Sequence, residues 1–339
     1  MANAEHPEDR LGRPLRALRV SVTDRCNFRC GYCMPPEVFP KDHPFLDRSE
    51  VLRFEEILRL ARVFMGLGVR KIRLTGGEPL LRKDLPELVH QLAGLEGLED
   101  LALTTNGALL PELAAPLKAA GLKRLTVSLD TLNPERFRSL CNTEVPLSRV
   151  LEGLAVARQA GFVGTKLNCV VERGVNEDEA EDLAAFARAE GLELRFIEFM
   201  DVGTTNGWRL DRVVPGSEVR ARIHARWPLE AVEEPKAGRV AESWRYRDGR
   251  GRIGFITSVT QPFCGGCDRA RLSADGRLYT CLFTGDGLDL KAFLRGGHSD
   301  ASLAALLGRT WTAREDRYSE LRSEATPGMK KIEMSRMGG

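Results

Sequence analysis

Along most of the chain, short apolar runs alternate with longer stretches in which apolar residues recur every three or four positions, the mark of strands alternating with helices. The first run, at Leu18–Val22, predicts a strand that feeds directly into a polar loop rich in cysteine. Helical spacing follows at Val51, Leu52, Ile57, Leu58, Ala61, Phe64 and Met65, with Ser49 as the expected cap and Gly66 and Gly68 as the stop. Further strands are predicted at Lys71–Leu74, Leu101–Thr104, Leu125–Leu129, Lys166–Val171 and Leu194–Phe199. Helices are predicted around Pro111–Ala120, from Asn133 as cap with Pro134 in the first turn, up to a stop at Gly161, and over Glu177–Glu190.

Serial β/α units with right-handed crossovers build a parallel sheet, here an α/β fold of the incomplete (βα)6 barrel type. After Leu229 the pattern changes. Arg239–Arg247 and Arg252–Val259 flank an Asp248-Gly249 turn and read as a β-hairpin. The expected division is a partial barrel over residues 12–235, with its boundary at Pro235, and a smaller C-terminal domain over 236–339.

Composition narrows the class. At 339 residues and 42% hydrophobic, the chain can bury a large core. Its 50 Lys and Arg nearly balance 48 Asp and Glu, so no global field gathers nucleic acid or anionic membrane. No run approaches the ~18 apolar residues of a membrane span, and the opening segment lacks the apolar centre of a secretory signal. The expectation is a soluble, cytoplasmic protein. Eight cysteines are too sparse for a disulfide scaffold, and six of them fall in two tight groups, which points to metal in a reducing compartment.

In parallel β/α barrels the chemistry sits on loops at the carboxyl ends of the strands. The unusual residues fall there: Cys26, Cys30 and Cys33, then Gly76-Gly77-Glu78-Pro79, then Thr104-Thr105-Asn106-Gly107, then Ser128 and Asp130, and finally Met200. Three thiolates from one short loop can hold three irons of a four-iron cluster and leave the fourth open to a methionine's amino and carboxylate groups. A structural zinc wants four ligands, and the nearest histidine, His43, lies beyond intervening prolines. Cys264, Cys267 and Cys281 again supply three thiolates. His298, Cys141 and Cys169 are not at zinc-ribbon spacing, which favours a second cluster over zinc. Between these cysteines, Arg269 and Arg271 share one side of an extended segment, where guanidinium forks bind phosphate oxygens.

CNFRCGYC followed by Gly-Gly-Glu-Pro resembles the radical S-adenosylmethionine superfamily. The phrases RFIEFMDVG and FITSVTQPFCGGCDRARLSADGRLYTCLF, with the terminal Gly338-Gly339, resemble its members that cyclise GTP at the first step of molybdenum cofactor biosynthesis. That resemblance implies two [4Fe-4S] clusters, on Cys26, Cys30 and Cys33 and on Cys264, Cys267 and Cys281. It implies S-adenosyl-L-methionine at Tyr32, Gly77, Ser128 and Met200, and GTP at Arg19, Arg73, Thr104, Lys166, Arg269, Ala270 and Arg271. The implied chemistry is a 5′-deoxyadenosyl radical that takes hydrogen from ribose C3′, which then bonds to guanine C8. Arg269, Arg271 and the tail residues Arg336, Gly338 and Gly339 would assist.

The implied partners are a reductant, flavodoxin-like or chemical, and a downstream synthase that forms cyclic pyranopterin monophosphate; the chain would be a monomer or a homodimer. Two rivals carry part of the pattern. A peptide-modifying maturase shares the first motif but usually has more auxiliary cysteines. A metal-stabilised redox sensor would contact RNA through Arg269 and Arg271, against which stand the near-neutral charge and the absence of aromatic stacking motifs.

Overall fold

The computed structural model describes residues 6–233, 238, 240–322 and 331–337, so Pro235, Gly338 and Gly339 lie outside the described residues. Six parallel strands form the centre: β1 (Ala17–Ser21), β2 (Lys71–Thr75), β3 (Asp100–Thr105), β4 (Arg124–Ser128), β5 (Lys166–Val171) and β6 (Glu193–Glu198). They are joined by α1 (Phe54–Gly66), α2 (Leu85–Ala93), α3 (Leu110–Ala119), α4 (Pro134–Cys141), α5 (Leu147–Gln159) and α6 (Ala180–Ala189). Asn133 caps α4 by accepting from the amides of Glu135 and Arg136, and Gly161 takes a left-handed turn after α5.

Two helical details differ from the sequence pattern. α1 begins after Arg53 rather than at Ser49, because the Glu56 carboxylate takes the Arg53 amide and fixes the first turn there. Val51 and Leu52 are buried all the same, with the Leu52 amide bonded to the Ala274 carbonyl. α2, which the apolar pattern did not reveal, sits between β2 and β3.

The rest of the chain extends this sheet at both edges. After α7 (Gly216–Arg226), β7 (Leu229–Ala231), β8 (Glu242–Tyr246) and β9 (Arg252–Ile256) add beside β6, with β9 parallel to it and β8–β9 forming the expected hairpin. At the opposite edge β10 (Arg269–Leu272) runs parallel to β1, followed by β11 (Arg277–Tyr279) and β12 (Leu288–Asp289). The resulting order is β12-β11-β10-β1-β2-β3-β4-β5-β6-β9-β8-β7. The short stretch from β9 to β10 therefore crosses from one edge of the central sheet to the other, and it carries Cys264 and Cys267.

α8 (Leu290–Arg295) and α9 (Asp300–Thr312) follow, and α10 (Met334–Met337) packs against β1. Leu18, Ile72, Leu103, Val127, Leu167, Phe196, Phe255 and Leu272 face one continuous core beneath the helices. Because side chains alternate along a strand, the residues between them face the opposite, inner side of the sheet. The C-terminal strands share the same core through Tyr246, Ile253, Ala270 and Leu278.

α1 is tied to the C-terminal segment by Glu56, which accepts from Arg295 as well as from Arg53. Burial alone would raise this carboxyl, but the bonds from Arg295 and Arg53 outweigh it and hold it at about 2. A depressed acid contributes stability that is present above its unfolded pKa and lost as pH falls toward the folded value. Glu56→Gln should lower stability by about 1 kcal/mol at pH 7, the usual worth of a helix cap, with the difference shrinking between pH 4.5 and pH 2. Urea unfolding of both proteins across that range checks this, and a difference independent of pH would contradict it.

Candidate functional site

The first cysteine loop is shaped by the turn after β2. Gly77 and Glu78 donate their amides to the Thr23 and Arg25 carbonyls, and the Val22 amide bonds to the Thr75 carbonyl. A Cβ on Gly77 would collide with the Arg25 carbonyl, and one on Gly76 would lie 2.7 Å from the Thr23 carbonyl. The glycines are thus required by the approach of two backbones, since the smallest side chain would push the turn away from the loop.

Glu78 extends this clamp to the next strand. Its buried carboxylate accepts from the Leu80 amide at 3.0 Å, the Thr105 hydroxyl at 2.7 Å and the Asn106 amide at 2.7 Å. Burial raises it to about 7, against these donors, which favour the charged form. The Asn106 side chain then donates to Asn27, next to Cys26. On the other side, the Tyr32 hydroxyl donates to Asp130 at 2.8 Å, and Asp130 also accepts from the Val170 amide. Loops after β1, β2, β3 and β4 therefore brace one another around the cysteines. Glu78 and Asn106, which the sequence placed in motifs on this rim without a role, and Asn27 are positioning residues.

Cys26, Cys30 and Cys33 lie close enough for each to disfavour its neighbour's thiolate. Burial, then the charges of Glu78 and Cys30, push the Cys26 thiol up to about 12; burial, then Cys30 and Cys26, raise Cys33; and Cys30 is raised first by its contact with Cys141 and then by burial. Among the described residues no three His, Cys, Asp or Glu side chains converge where a single ion would sit. Three thiols on one short loop would suit a multi-iron cluster, in which each thiolate binds a different iron.

The second cysteine group is held by residues distant in sequence. Arg13 donates to the Cys264 carbonyl and Arg314 to the Cys267 carbonyl, each at 2.8 Å. Both guanidiniums are buried and share the Asp9 carboxylate. Burial pushes the Cys267 thiol up, but Arg269, Arg314 and Arg271 outweigh it and bring it down to about 6, the thiolate that metal binding needs. Cys281 is raised by burial to about 11.

Between the two groups, the inner face of the sheet is strongly cationic. Arg271, Arg19 and Arg73 stand side by side in register on β10, β1 and β2. Arg269, Arg124, Lys166 and Arg195 share that face, opposed by the carboxylates of Asp100 and Glu193. Burial, then Arg271, Arg269 and Arg73, lowers Arg19; burial and Arg269 bring Arg271 to about 10; burial, Arg124 and Arg195 bring Arg73 to about 10. The buried Nε and Nη1 atoms of Arg269 and Arg271 have no hydrogen-bond partner among the described residues. Such a face is built to receive a polyanion.

The other expected contacts fall in different places. Thr104, with Thr126, accepts from Arg73 at 3.0 Å and so orients that guanidinium. Lys166 faces inward but is ion-paired with Glu193. Ala270 points into the core beside Leu272, its backbone lies in the β1 ladder, and it offers no side chain to the inner face. Ser128 lies on the inner face at the end of β4. The Met200 carbonyl accepts from Asn206, and Arg336 is exposed on α10.

The tail also reaches this face. Tyr279, the register partner of Arg271, forms a small apolar cluster with Ile332 and Met337, separate from the main core. Residues 331–337 therefore lie on the cationic side of the sheet.

If the turn after β2 organises the first cysteine loop, Gly77→Ala should lower bound iron by about four atoms per chain, as Cys26→Ala should. Iron and sulfide analysis after anaerobic reconstitution checks this, and an unchanged content in Gly77→Ala would contradict it.

Residues 20–187 match the Radical SAM superfamily and residues 192–320 match Molybdenum Cofactor Synthesis C. A GTP 3′,8-cyclase of Acidothermus cellulolyticus is 54% identical, with 98% of each chain covered. One from Xanthomonas axonopodis pv. citri is 52% identical over 98% of each chain, and one from Staphylococcus aureus 45% over 99% of each. Among solved structures, Streptococcus suis SuiB bound to S-adenosylmethionine aligns with a TM-score of 0.60 at 14% identity, covering 88% of this chain and 64% of that one, a likeness of fold. With near full-length relatives at this identity, the chain belongs to the GTP 3′,8-cyclase family of radical S-adenosylmethionine proteins.

Proposed function

We propose that the chain converts GTP into (8S)-3′,8-cyclo-7,8-dihydroguanosine 5′-triphosphate, the first step of molybdenum cofactor biosynthesis. One observation carries the reading beyond kinship: Arg271, Arg19 and Arg73 in register on one face, with buried Arg269 and Arg271 nitrogens left without partners among the described residues. A triphosphate would supply the missing acceptors and the compensating charge.

In this reading Cys26, Cys30 and Cys33 hold one four-iron cluster, and Cys264, Cys267 and Cys281 hold a second. S-adenosylmethionine would lie near Tyr32, Gly77, Ser128 and Met200. A reduced cluster on Cys26, Cys30 and Cys33 would supply one-electron chemistry: cleavage of S-adenosylmethionine to the radical that would take hydrogen from ribose C3′. The protein's own tasks are positional. Arg19, Arg73, Arg269 and Arg271 would fix the phosphates, and Thr104 and Thr126 would aim Arg73. Lys166, Arg124 and Arg195 would contribute charge from the far side of the face, each already sharing a carboxylate. With the phosphates held, C3′ is kept near the radical and the new bond to guanine C8 forms within one bound substrate. The tail, including Gly338 and Gly339, would help exclude water and competing hydrogen donors. A flavodoxin-like or chemical reductant would supply one electron for the cleavage and a second that, with a proton, reduces the radical left on guanine once C3′ bonds to C8, and the product would pass to a separate synthase.

Anaerobic protein loaded with iron and sulfide, given S-adenosylmethionine and dithionite, should form 5′-deoxyadenosine faster with GTP, and GTP should be consumed in step. Arg271→Met and Arg73→Met should each raise the KM for GTP by about ten-fold or more, the worth of one charge-assisted hydrogen bond. Cleavage indifferent to GTP would overturn the substrate, and absence of cleavage with iron fully loaded would overturn the radical chemistry.

A further inference from the structure

We propose that Lys331 and Glu333 form a two-point latch that seats the C-terminal tail on the inner face of the sheet and seals the radical site. The sealing half rests on the function proposed above; the seating half rests on geometry alone. Both latch points engage the loop after β6, the segment that carries Met200.

The first point is buried. Lys331 Nζ donates to the Asp201 carboxylate and to its carbonyl, each at 2.9 Å, and neither side chain is appreciably exposed. Asp201 also accepts from the Tyr318 hydroxyl and from Arg322. Burial pushes this carboxyl up, but Tyr318, Lys331 and Arg322 outweigh it and hold it below its ordinary value, so it stays charged. The ammonium lies 4.8 Å from the Tyr318 ring centre and 5.9 Å from that of Phe283, two rings stacked on each other. A desolvated lysine in such a cage, with a charged acceptor, is costly to pull out.

The second point lies two residues on. The Glu333 carboxylate accepts from the Thr204 amide, the Thr204 hydroxyl and the Thr205 hydroxyl, each at 2.9 Å. Gly203, with φ of +72°, lets the loop wrap this carboxylate, and a Cβ there would strike it. The latch therefore joins the tail to the loop carrying Met200. Ile332 and Met337, on either side of Glu333, pack on Tyr279 opposite Arg271. Two polar anchors with one apolar plug hold a short segment that has little secondary structure of its own.

The test uses the full chain with clusters loaded and compares wild type with Lys331→Met, Glu333→Gln and the double variant. Asp201 keeps Tyr318 and Arg322 in every case, so the fold is not at stake. Amide hydrogen exchange over residues 331–337 should accelerate by about ten-fold or more in the double variant while β1–β6 stay protected. The ratio of 5′-deoxyadenosine formed to GTP consumed should rise, because an unsealed radical is quenched by other hydrogen donors. Gly203→Val, which invades the Glu333 seat from the opposite side, should reproduce both effects. Unchanged tail exchange in the double variant overturns the latch. Faster exchange with an unchanged ratio overturns the seal. If wild type consumes no GTP, the proposed function fails, while tail exchange still decides the latch.

Discussion

The rest of the site depends on one electrostatic constraint: a sheet face that carries far more positive charge than the protein around it neutralises. Over the whole chain the formal charge is only +2, yet seven cationic side chains named above share the inner face with Asp100 and Glu193. Burying a guanidinium without an acceptor is expensive, and placing three in register on adjacent strands adds mutual repulsion. Such an arrangement is retained where a ligand repays it. Thr104 and Thr126 hold Arg73 through neutral oxygens, so its direction is fixed while its charge remains available.

The topology explains how these charges meet. β1 and β2 supply Arg19 and Arg73 through the ordinary β/α succession, but Arg269 and Arg271 come from a strand some 250 residues later that adds beside β1. The same crossing from β9 to β10 delivers Cys264 and Cys267, whose loop is fixed by Arg13 and Arg314 through Asp9. The first cysteine loop is fixed differently, by backbone contact with two glycines and by Glu78. Two cysteine groups thus flank one cationic surface, and the tail closes on it from the loop after β6.

Much of this was legible in the sequence. The β-branched runs at β1–β6 and the Asn133 cap are local signals, and the structure follows them closely. The arginines of the β10 segment were visible as a pair because they sit between cysteines. Arg124 and Arg195 were not, since a charged residue at the start of a strand looks like a solvated end. Their signal was alternation: Leu125 and Val127 face the core, which sends Arg124 to the other side. Ser49 misled because its hydroxyl offers a generic cap, whereas the Glu56 bond to the Arg53 amide decides where α1 begins. The Asp9–Arg314 and Lys331–Asp201 pairs and the bond from Arg13 to Cys264 join residues more than a hundred positions apart, which no local pattern reveals.

The most direct test of the central claim is equilibrium binding of GTP, GDP, GMP and guanosine to the anaerobic, cluster-loaded protein, measured calorimetrically at fixed salt. If the cationic face is a triphosphate site, affinity falls stepwise as phosphates are removed, and Arg19→Met flattens the series. Guanosine binding as tightly as GTP would contradict the account, because the charge on this face would then have another purpose.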